Sequence, residues 1–159
     1  MAIEIEDKSG AKERFSSVDA TAPDGITVIP YGTREFDDGE YLIYPDGTVT
    51  IQKLIEQSDL EYASLENRKT STVVERSEEL VVASLYIGYK FLRDNWSQIK
   101  FLIQKISDYY DENADREIEM EIEQEDTNGD TKKITYRGPA DELDSVTEEL
   151  ETVKDESKR

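Results

Sequence analysis

Two residue types that carry much of enzyme chemistry, cysteine and histidine, are absent from this sequence of 159 residues. The lack of cysteine excludes disulfides, thiolate chemistry and cysteine-based zinc sites. The lack of histidine removes the most frequent general base and the commonest metal ligand. Because no glycine-rich phosphate-binding loop is present either, we expect a protein that is not an enzyme. We assign no catalytic residue, cofactor, metal site or small-molecule substrate.

Long apolar runs are also missing. The longest, Leu80 to Tyr89, covers about ten residues, whereas a membrane-spanning helix needs roughly twenty. The first residues carry acids from Glu4 onward and contain no apolar core of the kind found in a signal peptide. We therefore expect a soluble protein with no membrane span and no signal peptide, located in the cytoplasm or in an assembled particle.

Positive charge is scarce. The chain has 38 Asp and Glu against 19 Lys and Arg, a formal charge of -19 and a pI near 4.3. Such a charge repels phosphate backbones and anionic lipid, so we expect no direct binding to nucleic acid. Three explanations stay open: adaptation to high salt, masking of a basic partner, or charge that only keeps the protein in solution. The acids are spread over the whole chain, which favours salt adaptation.

The most prominent feature is the stretch from Thr72 to Tyr110, which we interpret as one long helix within a segment 71–112. Apolar residues recur there with the spacing of a heptad seam. The seam, a candidate oligomer or core interface, consists of Val82, Leu85, Tyr89, Leu92, Trp96, Ile99, Ile103, Ile106 and Tyr110.

Other large apolar residues lie outside that seam, which predicts a helix buried on two sides. One side would face an N-terminal sheet. The other would face either the C-terminal unit of the same chain or a second copy, and we favour self-association. Gly88 and Asn95 are the positions at which such a helix would bend.

Two segments precede this helix. Residues 1–24 predict an extended polar arm, with a short strand at Ala2 to Glu6. Residues 25–70 predict a β-rich region whose clearest part is a hairpin over 41–51, turning at Pro45-Asp46-Gly47. Residues 53–70 lack a clean period and fit either a strand or a short helix. The hairpin residues Tyr41 and Tyr44 are candidates for contacting a partner, although packing on the long helix explains them more simply.

The segment 113–154 predicts a β-hairpin plus a helix, followed by a polar tail, 155–159. Apolar residues alternate there with glutamates, so one strand face is a row of carboxylates. This candidate partner-facing row consists of Glu117, Glu119, Glu121 and Glu123. The loop Asp126 to Asp130 copies the first ligand positions of a calcium loop. Thr131 and Arg137, however, stand where that loop requires Gly and Glu, so we expect an ordinary Asn-Gly turn.

The predicted fold class is α+β: a small N-terminal sheet with a hairpin, one long central helix, and a C-terminal ββα unit. The expected function is that of a non-enzymatic structural or assembly protein. It would oligomerise through the long helix within a larger particle or complex, such as a virion or a salt-adapted assembly. The alternative is an acidic inhibitor or immunity-type protein that masks a basic partner surface.

Overall fold

The computed structural model describes residues 2–45, 47–65, 69–73, 80–113 and 117–156, and the fold is mixed α/β. In chain order the elements are strand β1 (Ala2–Glu6), helix α1 (Ala11–Ser17), strands β2 (Ile26–Val28), β3 (Gly32–Phe36) and β4 (Gly39–Pro45), helix α2 (Thr48–Gln57), strands β5 (Lys69–Val73) and β6 (Leu80–Ile87), helices α3 (Tyr89–Asp94) and α4 (Trp96–Asn113), strands β7 (Ile118–Glu125) and β8 (Thr131–Gly138), a 3₁₀ helix (Ala140–Ser145) and helix α5 (Val146–Asp155).

The strands form two sheets. The larger sheet has the order β1-β8-β7-β6-β2, and only its β6–β7 pair is parallel. The smaller sheet has the order β3-β4-β5, in which β3 and β4 are antiparallel and β4 and β5 are parallel. Each parallel pair requires a crossover, because parallel neighbours cannot be joined by a tight turn. Helix α2 lies between β4 and β5 in sequence, and α3 and α4 lie between β6 and β7.

The N-terminal segment is part of the fold and not an extended arm. Its strand at Ala2–Glu6 is confirmed, and it pairs with β8 so that Ile5 lies opposite Ile134. Helix α1 follows and buries Ala11 and Phe15 completely. Residues four apart share one helix face, so this short helix covers the sheet with a single apolar side.

The C-terminal ββα unit is confirmed. Strict alternation buries Ile118, Met120 and Ile122 on one face of β7. The loop to β8 is closed by Asp126, whose carboxylate accepts hydrogen bonds from the backbone N–H groups of residues 128 and 130. Gly129 has a φ of +81°, a conformation that glycine adopts without strain. The loop is therefore a turn between antiparallel strands, as expected, and the side chain of Asp126 closes it as an Asx-type turn.

The prediction of one long helix from Thr72 to Tyr110 is wrong. Thr72 belongs to β5, Leu80–Ile87 form strand β6, and the helical part is divided into α3 and the 18-residue α4. Positions 74–79 lie outside the described residues. Strand β6 is central in the larger sheet and is covered on both faces, so its sequence is a continuous apolar run instead of an alternating one. Over two helical turns such a run also fits the heptad spacing, so the sequence pattern predicts a helix where the structure has a strand.

The predicted hairpin over 41–51 is also wrong. Strand β4 ends at Pro45, and Gly47 is the N-cap of α2, which includes the residues 48–51 expected on a returning strand. Asp46 lies outside the described residues. The hairpin of this region is one strand earlier: β3 turns into β4 so that Phe36 pairs with Gly39, whose φ is +133°. Of the ambiguous stretch 53–70, residues 53–57 belong to α2 and residues 69–70 to β5.

Helices cover both faces of the larger sheet. On the face that carries Ile134, α5 packs on β8, and Lys132 lies 3.8 Å from Glu156. Helix α4 joins this layer through Ser107, whose buried hydroxyl donates a 2.7 Å hydrogen bond to the carbonyl of Ala140. The opposite face is covered by α1. The hydrophobic core extends to both sides of the sheet, since Phe15 of α1 packs on Tyr86, and the side under α1 also holds a group of buried polar side chains.

Candidate interaction surface

The nine predicted seam residues lie in the chain's own core and are divided among different elements. Val82 and Leu85 are on β6, Leu92 is on α3, and all three are fully buried. Tyr89 on α3 and Trp96 on α4 are partly exposed and pack against the core. The other members, all on α4, are buried: Ile99, Ile103, Ile106 and Tyr110. These residues consequently stabilise the monomer and do not form one continuous external stripe.

The two candidate tyrosines differ in environment. Tyr44 is only 5% exposed and belongs to the core. Tyr41 is half-buried beside the β3–β4 turn, where its hydroxyl donates a 2.6 Å hydrogen bond to Asp38. That hydrogen bond is the main reason why the pKa of Tyr41 lies above its ordinary value. Its ring meets Phe36 edge to face, with centroids 4.9 Å apart.

The predicted carboxylate row is largely neutralised within the chain. Glu119 lies 2.7 Å from the guanidinium of Arg137 on β8. Glu121 lies 3.6 Å from Lys133. Glu117 precedes β7 and is exposed, whereas Glu123 is fully buried. The row is thus one half of a cross-strand ion-pair ladder, since β7 and β8 place their opposite charges in register.

Glu123 is at the centre of a polar cluster under α1. Its carboxylate accepts hydrogen bonds from the guanidinium of Arg14 and the hydroxyl of Ser9. The Ser9 and Thr131 hydroxyls are 2.8 Å apart, which links the loop before α1 to β8. Burial raises the pKa of Glu123, although Ser9, Arg14 and Lys133 act in the opposite direction. A buried charge paired in this way fixes α1 at one position on the sheet.

A second part of the cluster surrounds Glu125. Lys12 lies 2.8 Å from its carboxylate, and the backbone N–H of Tyr89 donates to it at 3.1 Å. Burial opposes ionisation of Glu125, but these two donors outweigh it, so its pKa lies below the ordinary value. The Tyr86 hydroxyl is 3.5 Å from the same carboxylate, and burial with that negative charge raises the pKa of Tyr86. Each of these groups already has a partner in the chain.

Two adjoining cavities lie beside α1. The larger, about 360 Å³, is lined by residues 19–24 with Ser64 and Leu65. The smaller, about 250 Å³, is lined by the same loop together with Lys12, Ser16, Tyr86 and Glu125. Small side chains and backbone make up most of both walls. The charges of Lys12 and Glu125 neutralise each other. Within the described ranges, no three acidic side chains form a group that could hold a metal ion. We assign no reaction to these cavities.

Sequence reasoning missed most members of this polar cluster. It singled out Glu123 but not Ser9, Lys12, Arg14 or Glu125. A local signal was available, because Ala11 and Phe15 have helical spacing and are flanked by helix-favouring Lys, Glu and Arg. No local pattern in the sequence indicates that this short helix pairs with carboxylates more than a hundred residues later.

Exposed large apolar side chains mark the surface instead. On the β3–β4 hairpin, Phe36 is 43% exposed, and Tyr31 just before β3 is 46% exposed. On α4, Phe101 is 52% exposed, and Tyr109 two turns later is 37% exposed. We call the segment Gly32–Tyr41 the hairpin tip. Among the described elements, β3 has substantial contacts only with β4, and its residues after Gly32 are exposed.

Comparisons with known proteins identify no relative. No protein-family model matches the chain, and neither the curated proteins nor the solved structures contain a match. Over the part of the chain that the structure describes, no helix combines the length and the apolar character needed to cross a bilayer. The case for function consequently rests on the surface itself.

Proposed function

We propose that the protein is a non-enzymatic structural component that self-associates within a larger assembly and contacts its neighbours through the hairpin tip. One observation carries this proposal: an aromatic side chain, Phe36, is 43% exposed at the end of the β3–β4 hairpin. Within the described residues its ring contacts Tyr41 edge to face, and the rest of the ring is accessible to a partner. Burial of such a side chain in an interface is worth about 1.5–3 kcal/mol, and aromatic anchors of this kind dominate interface energies.

The geometry of the tip supports the same function. Tyr41 packs against Phe36 and is itself fixed by Asp38, so the aromatic pair is preorganised. Preorganisation lowers the entropy lost when a partner binds. Strand β3 also forms the edge of its sheet, and edge strands are the usual places for a further chain to associate. Because the predicted seam residues lie in or against the chain's own core, we propose association through this hairpin instead of through a helical seam.

A second candidate function is the masking of a basic partner. The carboxylate row first proposed for that role is answered by Arg14, Lys133 and Arg137, but another acidic surface exists. The helical segment 140–156 exposes five carboxylates and has one cation, Lys154. The exposed acids are Asp141, Glu142, Asp144, Glu148 and Glu151. This surface fits a protein whose partner carries a matching basic patch.

Sedimentation of the wild-type protein in dilute buffer and in molar salt tests the main proposal. We expect a concentration-dependent oligomer in at least one condition, and a Phe36→Ser variant is expected to shift it toward monomer. Val49→Ser is the matched control, because Val49 is 51% exposed on α2, away from the tip. A monodisperse monomer under both conditions contradicts self-association. A monomer that captures a basic protein, and loses it on charge reversal of Glu148 and Glu151, supports the second function.

A further inference from the structure

The surface of α3 and the first half of α4 differs in charge from the rest of the protein. Residues 80–107 contain four cations and one acid, out of 19 cations and 38 acids in the chain, which leaves 15 and 37 for all other residues. The four cations are Lys90, Arg93, Lys100 and Lys105, and the single acid is Asp94. The first three are exposed and Lys105 is half-buried. The charged side chains that α3 and the first half of α4 themselves carry are thus mainly positive, in a protein that is strongly acidic.

Aromatic rings lie beside two of these cations. The ammonium group of Lys100 is 5.7 Å from the ring centroid of Trp96, and that of Lys105 is 5.0 Å from the ring centroid of Phe101. Both pairs have the spacing of four residues that places side chains side by side on a helix. Cation–π contact holds both lysines along α4, where Lys100 is exposed and Lys105 is half-buried. This mainly positive part of the helix ends at Asp108, which accepts a 2.8 Å hydrogen bond from Gln104.

The hairpin tip has the complementary chemistry. Phe36 is flanked in sequence by Glu35 and Asp37, and all three are exposed. Along the chain, the exposed ring at the tip is therefore bordered by two carboxylates, and on α4 the exposed ring of Phe101 is bordered by Lys100 and Lys105. Opposite charges bordering an apolar centre are the arrangement that gives protein interfaces both affinity and orientation.

We propose that the face formed by Trp96, Lys100, Phe101 and Lys105 receives the hairpin tip of a second copy of this chain. Phe36 packs against Phe101, and Glu35 and Asp37 pair with the two lysines. This inference rests on the proposed function of self-association. Because the two surfaces are different patches on each molecule, the contact is heterologous, and repetition of it yields a ring or a filament.

Charge-reversed variants test this pairing in sedimentation experiments at about 0.15 M salt, where exposed charges separated by more than about 8 Å are screened. K100E/K105E and E35K/D37K are each expected to raise the dissociation constant about tenfold or more, because each places like charges in contact. An equimolar mixture of the two variants is expected to recover association, since each reversed surface then meets its complement. K8E/K53E is the matched control, with two exposed lysines reversed elsewhere. Circular dichroism confirms that every variant is folded.

The outcomes separate the two proposals. A wild-type protein that never associates contradicts both. A wild-type oligomer that K100E/K105E leaves intact, or variants that fail to recover on mixing, overturns this inference while self-association stands. Loss of association in K8E/K53E equal to that in K100E/K105E would show that net charge alone is responsible. Binding of a labelled single-stranded oligonucleotide that K100E/K105E abolishes, without any effect on association, would assign the α4 face to nucleic acid and also overturn the inference.

Discussion

The carboxylate of Glu123 in the middle of the larger sheet is paired with the guanidinium of Arg14 on the N-terminal helix. Glu123 is fully buried, whereas the side chain of Arg14 is 39% exposed. A residue near the chain's beginning thus neutralises a charge on the second-last strand. The N-terminal segment therefore supplies the cation that pairs with a buried carboxylate of the sheet.

Removal of Arg14 is expected to leave that buried charge without its cation. We predict that Arg14→Ala lowers the free energy of unfolding by about 1–3 kcal/mol, the cost of losing a hydrogen bond to a charged group. Lys12→Ala is the control, because the Lys12–Glu125 pair is more exposed and such pairs contribute about 1 kcal/mol or less. Urea denaturation of both variants measures the difference. Equal losses would contradict the central position of the Arg14 pair.

The pH dependence of stability is expected to contain a contribution from Glu123. Burial raises the pKa of Glu123 in the folded protein, so the native state binds more protons than the unfolded chain. Its stabilising contribution is then fully present below the unfolded pKa and is lost as pH rises through the folded pKa. Glu123→Gln removes this titration. We predict that the unfolding free energy of the wild type, relative to the Gln variant, falls as the pH rises from below the ordinary carboxyl range through the raised pKa of Glu123. A constant difference, or a rising one, would show that the pairing with Arg14 outweighs burial.

Phe15, which is buried, and Phe36, which is exposed, are expected to contribute very differently to the free energy of unfolding. Phe15 is fully buried and meets Tyr86 edge to face, with centroids 5.3 Å apart. We predict that Phe15→Ala costs about 3–5 kcal/mol of stability, as other buried phenylalanines do. Phe36→Ala, on the hairpin tip, is expected to change monomer stability by about 0.5 kcal/mol or less. Thermal or urea unfolding in conditions that keep the protein monomeric measures both. A small effect of Phe15→Ala would restore the extended-arm interpretation.

Gly47 is expected to be intolerant of a side chain. A Cβ atom there would lie 2.7 Å from the carbonyl oxygen of Val82 and 3.2 Å from the hydroxyl of Tyr110. Because the first of these is backbone, we predict that Gly47→Ala costs about 1–3 kcal/mol through forced displacement. Gly32→Ala is the control, since a Cβ at Gly32 meets nothing within 4 Å. Unfolding free energies that are the same for both variants would be inconsistent with the packing of α2 against β6.

Salt is expected to stabilise the protein. Acids outnumber cations by 38 to 19, so net repulsion between surface carboxylates dominates over the exposed ion pairs in dilute buffer. Added salt shortens the screening length from about 30 Å at 0.01 M to about 3 Å at 1 M. We predict a higher urea midpoint in molar sodium chloride than in dilute buffer. A lower midpoint would mean that ion pairs such as Arg14–Glu123 and Arg137–Glu119 contribute more than repulsion removes.

Local patterns predicted the parts of the fold that depend on near neighbours. Strict alternation at 118–122 with the Asn-Gly turn specified the β7–β8 hairpin, and the alternation at 2–6 specified β1. For the proposed interaction surface, the sequence singled out Tyr41, but as part of a hairpin that the structure forms one strand earlier. It did not reveal that Phe36 beside it is exposed, because exposure depends on which strands cover the hairpin.

The sequence by itself excluded disulfides and any chemistry that needs cysteine or histidine. It also determined the acidic character and predicted the C-terminal ββα unit. Only the tertiary structure decided that Leu80–Ile87 form a strand and not the first part of a helix. An apolar run that is buried on both faces can form either a strand or a helix, and its composition does not distinguish the two. This run forms a strand because β7 and β2 pair with it on either side. Likewise, Pro45-Asp46-Gly47 has the composition of a turn, but Gly47 stands under the carbonyl of Val82 and begins a helix. These decisions rest on contacts between residues far apart in the chain, which local patterns do not contain.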